Sequence, residues 1–186
     1  MVAKALQRSS ILFRGFASRN LHLMRKAFIT YIRPILEYNS ILWSPNLVYL
    51  IDLIESVQRK FTKRISSMSS LSYSSRLNKL DLQSSELRRL HIDLTNYYKM
   101  LNGMSPITPT DYFLIDSPIT STRSNMPTLL KPLRASSKLT SSFFYRSVGA
   151  WNHLPSKTKL LTSLQSFKLA IKLVDLSAFL KCSFFN

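Results

Sequence analysis

Several things are scarce in this chain, and each shortage removes a class of explanation. One cysteine, Cys182, occurs among 186 residues, which excludes an internal disulfide and a cysteine-cluster zinc site. Cys182 lies in an apolar tail and reads as a packed, inert thiol. Only three glycines occur, with no glycine-rich phosphate loop and no Gly-x-Ser-x-Gly nucleophile elbow. The three histidines, His22, His91 and His153, stand far apart and read as packed or surface groups rather than ligands or bases. The nine acids are scattered, with no two adjacent. A two-metal site needs carboxylates converging on ions about 4 Å apart, so none is expected. No catalytic residue, metal or cofactor is assigned. Lys4, Arg8 and Arg14 interrupt the region where a secretory signal needs an unbroken apolar core. The most apolar run, Leu173 to Phe185, is broken by Asp175 and Lys181 and is too short to span a bilayer. Neither a membrane nor a small molecule is an expected partner.

Positive charge is abundant. Lys and Arg number 26 against nine acids, a net charge of +17 and an isoelectric point near 10.4. Such an excess favours a polyanionic partner, most simply nucleic acid. The lack of disulfides fits a reducing, intracellular compartment, nuclear if the chain is functional, and leaves the location itself unassigned. One cation cluster, Arg8, Arg14, Arg19, Arg25 and Lys26, falls in the first 26 residues, which contain no acid. A second, Arg59, Lys60, Lys63 and Arg64, falls on the polar side of a helix. Cations of this kind suit phosphate contacts better than base reading. Arg88 and Arg89 stand close enough to Glu86 and Asp93 on a helix to be neutralised by them.

Helical patterns dominate, and 45% hydrophobic residues supply a core for one domain of this length. Helices are expected over 3–16 and 19–43, with Pro34 kinking or dividing the second. Ser44-Pro45 reads as a serine N-cap followed by proline at the first helical position. The next helix, 46–66, carries Leu47, Leu50, Ile54, Val57 and Phe61 on one face, with Glu55 and Arg59 as an i,i+4 ion pair. Serines over 66–75 mark a connector, followed by a short helix over 73–79. A long helix over 84–102 ends at Asn102-Gly103. Prolines 106, 109, 118, 127 and 132 make 103–139 a loop with a short strand pair around 119–131. Helices over 141–152 and 163–181 close the chain. Glu37 has Arg33 at i−4 and reads as its structural partner. Trp43 and Trp151 could stack on bases, but on helical apolar stripes they read as core anchors.

Three blocks occur in fixed order: Tyr31-Ile32-Arg33-Pro34-Ile35-Leu36-Glu37-Tyr38 with Trp43-Ser44-Pro45, then Glu86-Leu87-Arg88-Arg89-Leu90, then Trp151-Asn152-His153-Leu154-Pro155. Leu53-Ile54-Glu55-Ser56-Val57-Gln58-Arg59-Lys60-Phe61 lies between the first two. Asp93-Leu94, Thr122-Arg123, Arg146 and Phe167-Lys168 extend the series. Together they resemble the region downstream of the polymerase core in reverse transcriptases of non-LTR, LINE-type (Jockey/CR1-like) retrotransposons. Ile32 stands where that family has valine. The resemblance implies a mainly α fold: a helical thumb-like bundle, a proline-rich loop and two closing helices. It divides the chain into a thumb and post-thumb region (1–103), the loop (104–140) and a C-terminal helical segment (141–186) packing on the first region. It makes Arg33, Pro34, Glu37, Tyr38, Trp43, Trp151, Asn152 and Pro155 structural motif positions. The catalytic palm with its aspartates is not in this sequence. The implied role is therefore non-specific backbone contact with a template–primer duplex, next to an upstream polymerase core. Two alternatives stand beside it: an interaction domain packing on such a core, and a host-retained, element-derived protein without enzymatic activity.

Overall fold

The computed structural model describes residues 1–108, 114–116, 128–130 and 141–182. Helices account for most of the described chain, so the fold is mainly α. The described residues form two compact units. The first is Met1–Arg89 with the described residues from Leu180 onward; the second is Leu90–Phe179. The boundary falls inside one helix. Of the loop expected over 104–140, much lies outside the described residues.

The first unit opens with α1 (Val2–Gly15), which buries Ala5, Ser9, Leu12 and Phe13. Then α2 (Leu21–Ala27) begins at Asn20, whose side chain accepts the His22 N–H at 2.9 Å. Such a cap contributes about 1 kcal/mol. The second expected helix is divided here, and Pro34 falls in the first turn of a separate short helix. A π-turn over Phe28–Ile32 leads directly into α3 (Arg33–Glu37), and the Arg33 N–H bonds the Phe28 carbonyl five residues back. Proline lacks an N–H and crowds the carbonyl four residues earlier, and one widened turn accommodates both defects. Asn39 then takes a left-handed conformation (φ 52°), a region its short polar side chain tolerates, and the chain reverses into α4 (Ser40–Trp43).

The expected cap at Ser44-Pro45 does not form. Helix α5 (Val48–Lys63) starts later, after Leu47, without a side-chain cap. Leu47 is exposed, so the buried stripe is Ile51, Ile54, Val57 and Phe61, joined by Glu55, Gln58 and Thr62. The Phe61 ring meets those of Phe13 and Phe28, each at 5.0 Å between centroids. Helix α6 (Tyr73–Leu80) is capped by Ser72 and ends at Asp81, which is left-handed (φ 46°).

Helix α7 (Ser85–Leu101) ends as the sequence indicates. Gly103 (φ 67°) closes a Schellman motif, with its N–H on the Met100 carbonyl and the Met104 N–H on that of Lys99. In the second unit, β1 (Leu114–Asp116) pairs antiparallel with β2 (Thr128–Leu130), Ile115 opposite Leu129. The first strand lies earlier than expected, and residues 117–127, with Thr122-Arg123, lie outside the described residues. The helix expected over 141–152 is two short ones, α8 (Phe143–Arg146) and α9 (Val148–His153), parted at Ser147. Ser147 donates its hydroxyl to Asp93 at 3.0 Å, which ties this junction to α7. A further one-turn helix, α10 (Ser156–Lys159), follows Pro155. The expected helix over 163–181 is shorter: α11 (Leu164–Ala170) tightens into a 3₁₀ turn and stops at extended Val174. Asp175 accepts the Ser177 N–H at 2.9 Å, a local turn that competes with helix continuation. Tyr97, Tyr98, Phe143, Trp151 and Phe167 form the aromatic core of this unit, with Tyr98 stacked on Phe167 at 4.3 Å.

Two buried acids hold these units. Asp93 takes a two-point ion pair from Arg146, both bonds 2.9 Å, with only 4% of its side chain exposed. Glu55 is fully buried and accepts from the Tyr73 hydroxyl and, at 2.8 Å, from the Ser85 N–H at the start of α7. Burial raises the Glu55 pKa above its usual 4.5, against the opposing pull of the Tyr73 and Ser85 bonds and nearby Arg89.

Two outcomes follow. Asp93→Ala leaves the Arg146 guanidinium without this carboxylate and lowers unfolding free energy by about 3 kcal/mol, read from urea unfolding. The folded protein holds the Glu55 proton to higher pH than the unfolded chain does. Stability therefore declines as pH rises from 4.5 toward the raised folded value. Glu55→Gln removes that decline. Urea midpoints from about pH 4 to 8 check it, and an unchanged slope in the variant would assign the effect to other groups.

Candidate nucleic-acid interface

Each of the two cation clusters of the sequence loses one member to the framework. Arg25 and Arg59 are drawn into the framework. Arg25 donates to the Asp81 carboxylate at 2.6 Å and to the Leu80 and Asp81 carbonyls, so it caps the C-terminus of α6. A cation there satisfies carbonyls without helical partners and complements the helix dipole. Arg59, expected to pair with Glu55, instead binds Asp52 at 2.6 Å, because Glu55 points into the core. Arg8, Arg14, Arg19, Lys26, Lys60, Lys63 and Arg64 are exposed, and none of them ion-pairs with an acid among the described residues.

Folding brings part of each cluster together. Packing of α1 on α5 leaves a cleft of about 410 Å³ lined by Leu6, Ser9 and Ser10 on one side and Lys60, Lys63 and Arg64 on the other. Positions 60, 63 and 64 share a face at i, i+3 and i+4. The Arg64 guanidinium lies 4.2 Å from the Phe13 ring centre, and Arg19 approaches the same ring at 5.7 Å. Cation–π contact holds both cations near the surface while leaving their N–H groups free to donate. Three cations, two serine hydroxyls and no acid make a lining that accepts phosphate oxygens. The contributions of Ser9, Ser10 and Phe13 are not legible in sequence, because residues some fifty positions apart meet only after α1 packs on α5.

The motif positions are mostly framework. Glu37 receives a two-point ion pair from Arg88, with Arg33 3.9 Å away. Burial, then the charge of Arg88, lowers the Arg33 pKa to about 10. The expected pairing of Arg88 on its own helix, with Glu86 or Asp93, does not form. Glu86 instead accepts the Lys181 and Cys182 N–H groups, and Asp93 takes Arg146. Arg89 is buried. Asn152 bonds the Leu129 backbone in both directions, donating at 2.9 Å and accepting at 3.2 Å. Trp151 is buried between Tyr97 and Phe167. Pro155 is exposed just before α10. Trp43 departs from the expected core anchor: it rests on the core but is half-buried, and with exposed Pro34 and Tyr38 it lines an open groove. Cys182 is buried, and burial pushes its thiol pKa up, which fits a packed thiol.

No protein-family model and no solved structure matches the chain. Over 95 residues it is 30% identical to an uncharacterized protein of Caenorhabditis elegans, covering 50% of this chain and 48% of that protein. The chain thus spans about half the length of the curated relative it matches.

Proposed function

We propose that this chain binds nucleic acid non-specifically through its phosphate backbone and performs no polymerase chemistry by itself. In this reading it is the C-terminal, thumb and post-thumb portion of a LINE-type reverse transcriptase, which positions a template–primer duplex for a palm it does not contain. The observation that carries the reading is the acid-free cleft of Lys60, Lys63 and Arg64 against Ser9 and Ser10, flanked by Arg19 on the Phe13 ring. Such a lining supplies charge and hydroxyl donors without the fixed base-edge pattern that sequence reading requires.

A second reading, an interaction domain seated on a polymerase core, draws on one observation. Leu47, Val48, Tyr49 and Leu53 are exposed together at the start of α5. Aggregation that is independent of salt, with no nucleic-acid binding, would favour it.

Duplex binding should weaken steeply as salt rises. Replacing Lys60, Lys63 and Arg64 together by alanine should flatten the slope of log affinity against log salt by about 0.9 for each phosphate that is no longer neutralised. Replacing Arg25 or Arg59, already held by Asp81 and Asp52, should change it little. Fluorescence anisotropy with a labelled duplex across a salt series reads both. Binding that persists at high salt would sink the phosphate mechanism.

A further inference from the structure

We propose that the groove beside α1 stacks an unpaired base of single-stranded nucleic acid, a site that rests on the nucleic-acid reading above and adds strand preference to it. The groove holds about 670 Å³ and is lined by Met1, Lys4, Pro34, Ile35, Tyr38 and Trp43. That is ample for a base with its sugar. Two aromatic rings are set on it by local structure. Tyr38 ends α3 with 80% of its surface exposed, and left-handed Asn39 turns the chain so that α4 brings Trp43 back beside it. The Trp43 Nε1 donates to the Tyr38 carbonyl at 2.6 Å. The indole's one polar group is thereby satisfied within the chain, its ring is oriented, and what it offers a ligand is an apolar face.

The charge around the groove selects the occupant. No acid lines it, Lys4 does, and exposed Arg8 follows one helical turn along α1 on the same flank. A ligand matching aromatic faces beside two cations is planar, apolar and anionic, as a nucleotide unit is. Base–aromatic stacking tolerates any sequence because every base has a π-face. A duplex hides those faces within its own stack, so only an unpaired base enters. The cleft of Lys60, Lys63 and Arg64 lies on the opposite flank of α1 and needs only phosphates. The two sites therefore answer to different probes.

The test uses the full chain with three labelled probes of one length: oligo(dT), an abasic oligodeoxynucleotide with the same phosphates, and a duplex. Oligo(dT) should bind about tenfold more tightly than the abasic strand and should quench indole fluorescence. Tyr38→Ala, a surface change, should erase that difference while duplex affinity and salt slope stay as they were. Tyr38→Phe should keep it. Equal affinity for oligo(dT) and the abasic strand, with duplex binding intact, overturns the stacking site and leaves the backbone reading standing. Failure of all three probes to bind at low salt overturns both.

Discussion

Scarcity of acid is the constraint on which the structure depends. Nine carboxylates serve a chain with 26 cations, and those whose side chains are described are committed to internal bonds. Glu37 holds Arg88, Asp93 holds Arg146, Asp81 holds Arg25 and Asp52 holds Arg59. Glu55 and Glu86 accept backbone N–H groups of Ser85, Lys181 and Cys182, and Asp175 accepts that of Ser177. The more buried of these bonds act where water screens least, so losing one partner costs more than the pair contributes. The acids are thus the polar joints of the fold, and little negative charge remains to neutralise the surface.

That allocation produces the interface. A cation beside an acid becomes framework, as Arg25 and Arg59 show, and a cation without one stays available to a phosphate. Lys60, Lys63, Arg64 and Arg19 belong to the second kind, and the contact of α1 with α5 concentrates them. The same logic accounts for the motif blocks. Glu37 of the first block reaches Arg88 of the second. Asp93 reaches Arg146, and Trp151 of the third block packs on Tyr97 from the helix that carries the second. Residues that recur in order along the chain are joined to one another in space, which is what framework positions require.

Much of the helical content was legible. Helices α1, α5 and α7 follow apolar spacing, and the Asn102-Gly103 stop follows from the left-handed conformation that glycine adopts without a Cβ clash. The failures lie where a local signal competes with packing. The division expected at Pro34 is, by contrast, present as a π-turn before a short helix, and Phe28, Ile32 and Leu36 on either side all reach the core. Ser44-Pro45 lost its helix start because α5 forms only where Ile51 and Ile54 can be buried. The last helix stopped early because Asp175 captures the following backbone.

The sequence by itself determined the helical class, the excess of positive charge and the lack of any metal- or nucleophile-bearing motif. These follow from composition and short-range periodicity, which are properties of neighbours along the chain. Tertiary structure alone decided which cations are neutralised and which are left to bind, and that Trp43 lines a groove while Trp151 is buried. A carboxylate acts over only a few ångströms, and its partners here come from as far as 96 residues away. No local pattern carries that information, because the chain must fold before charge can be counted by place.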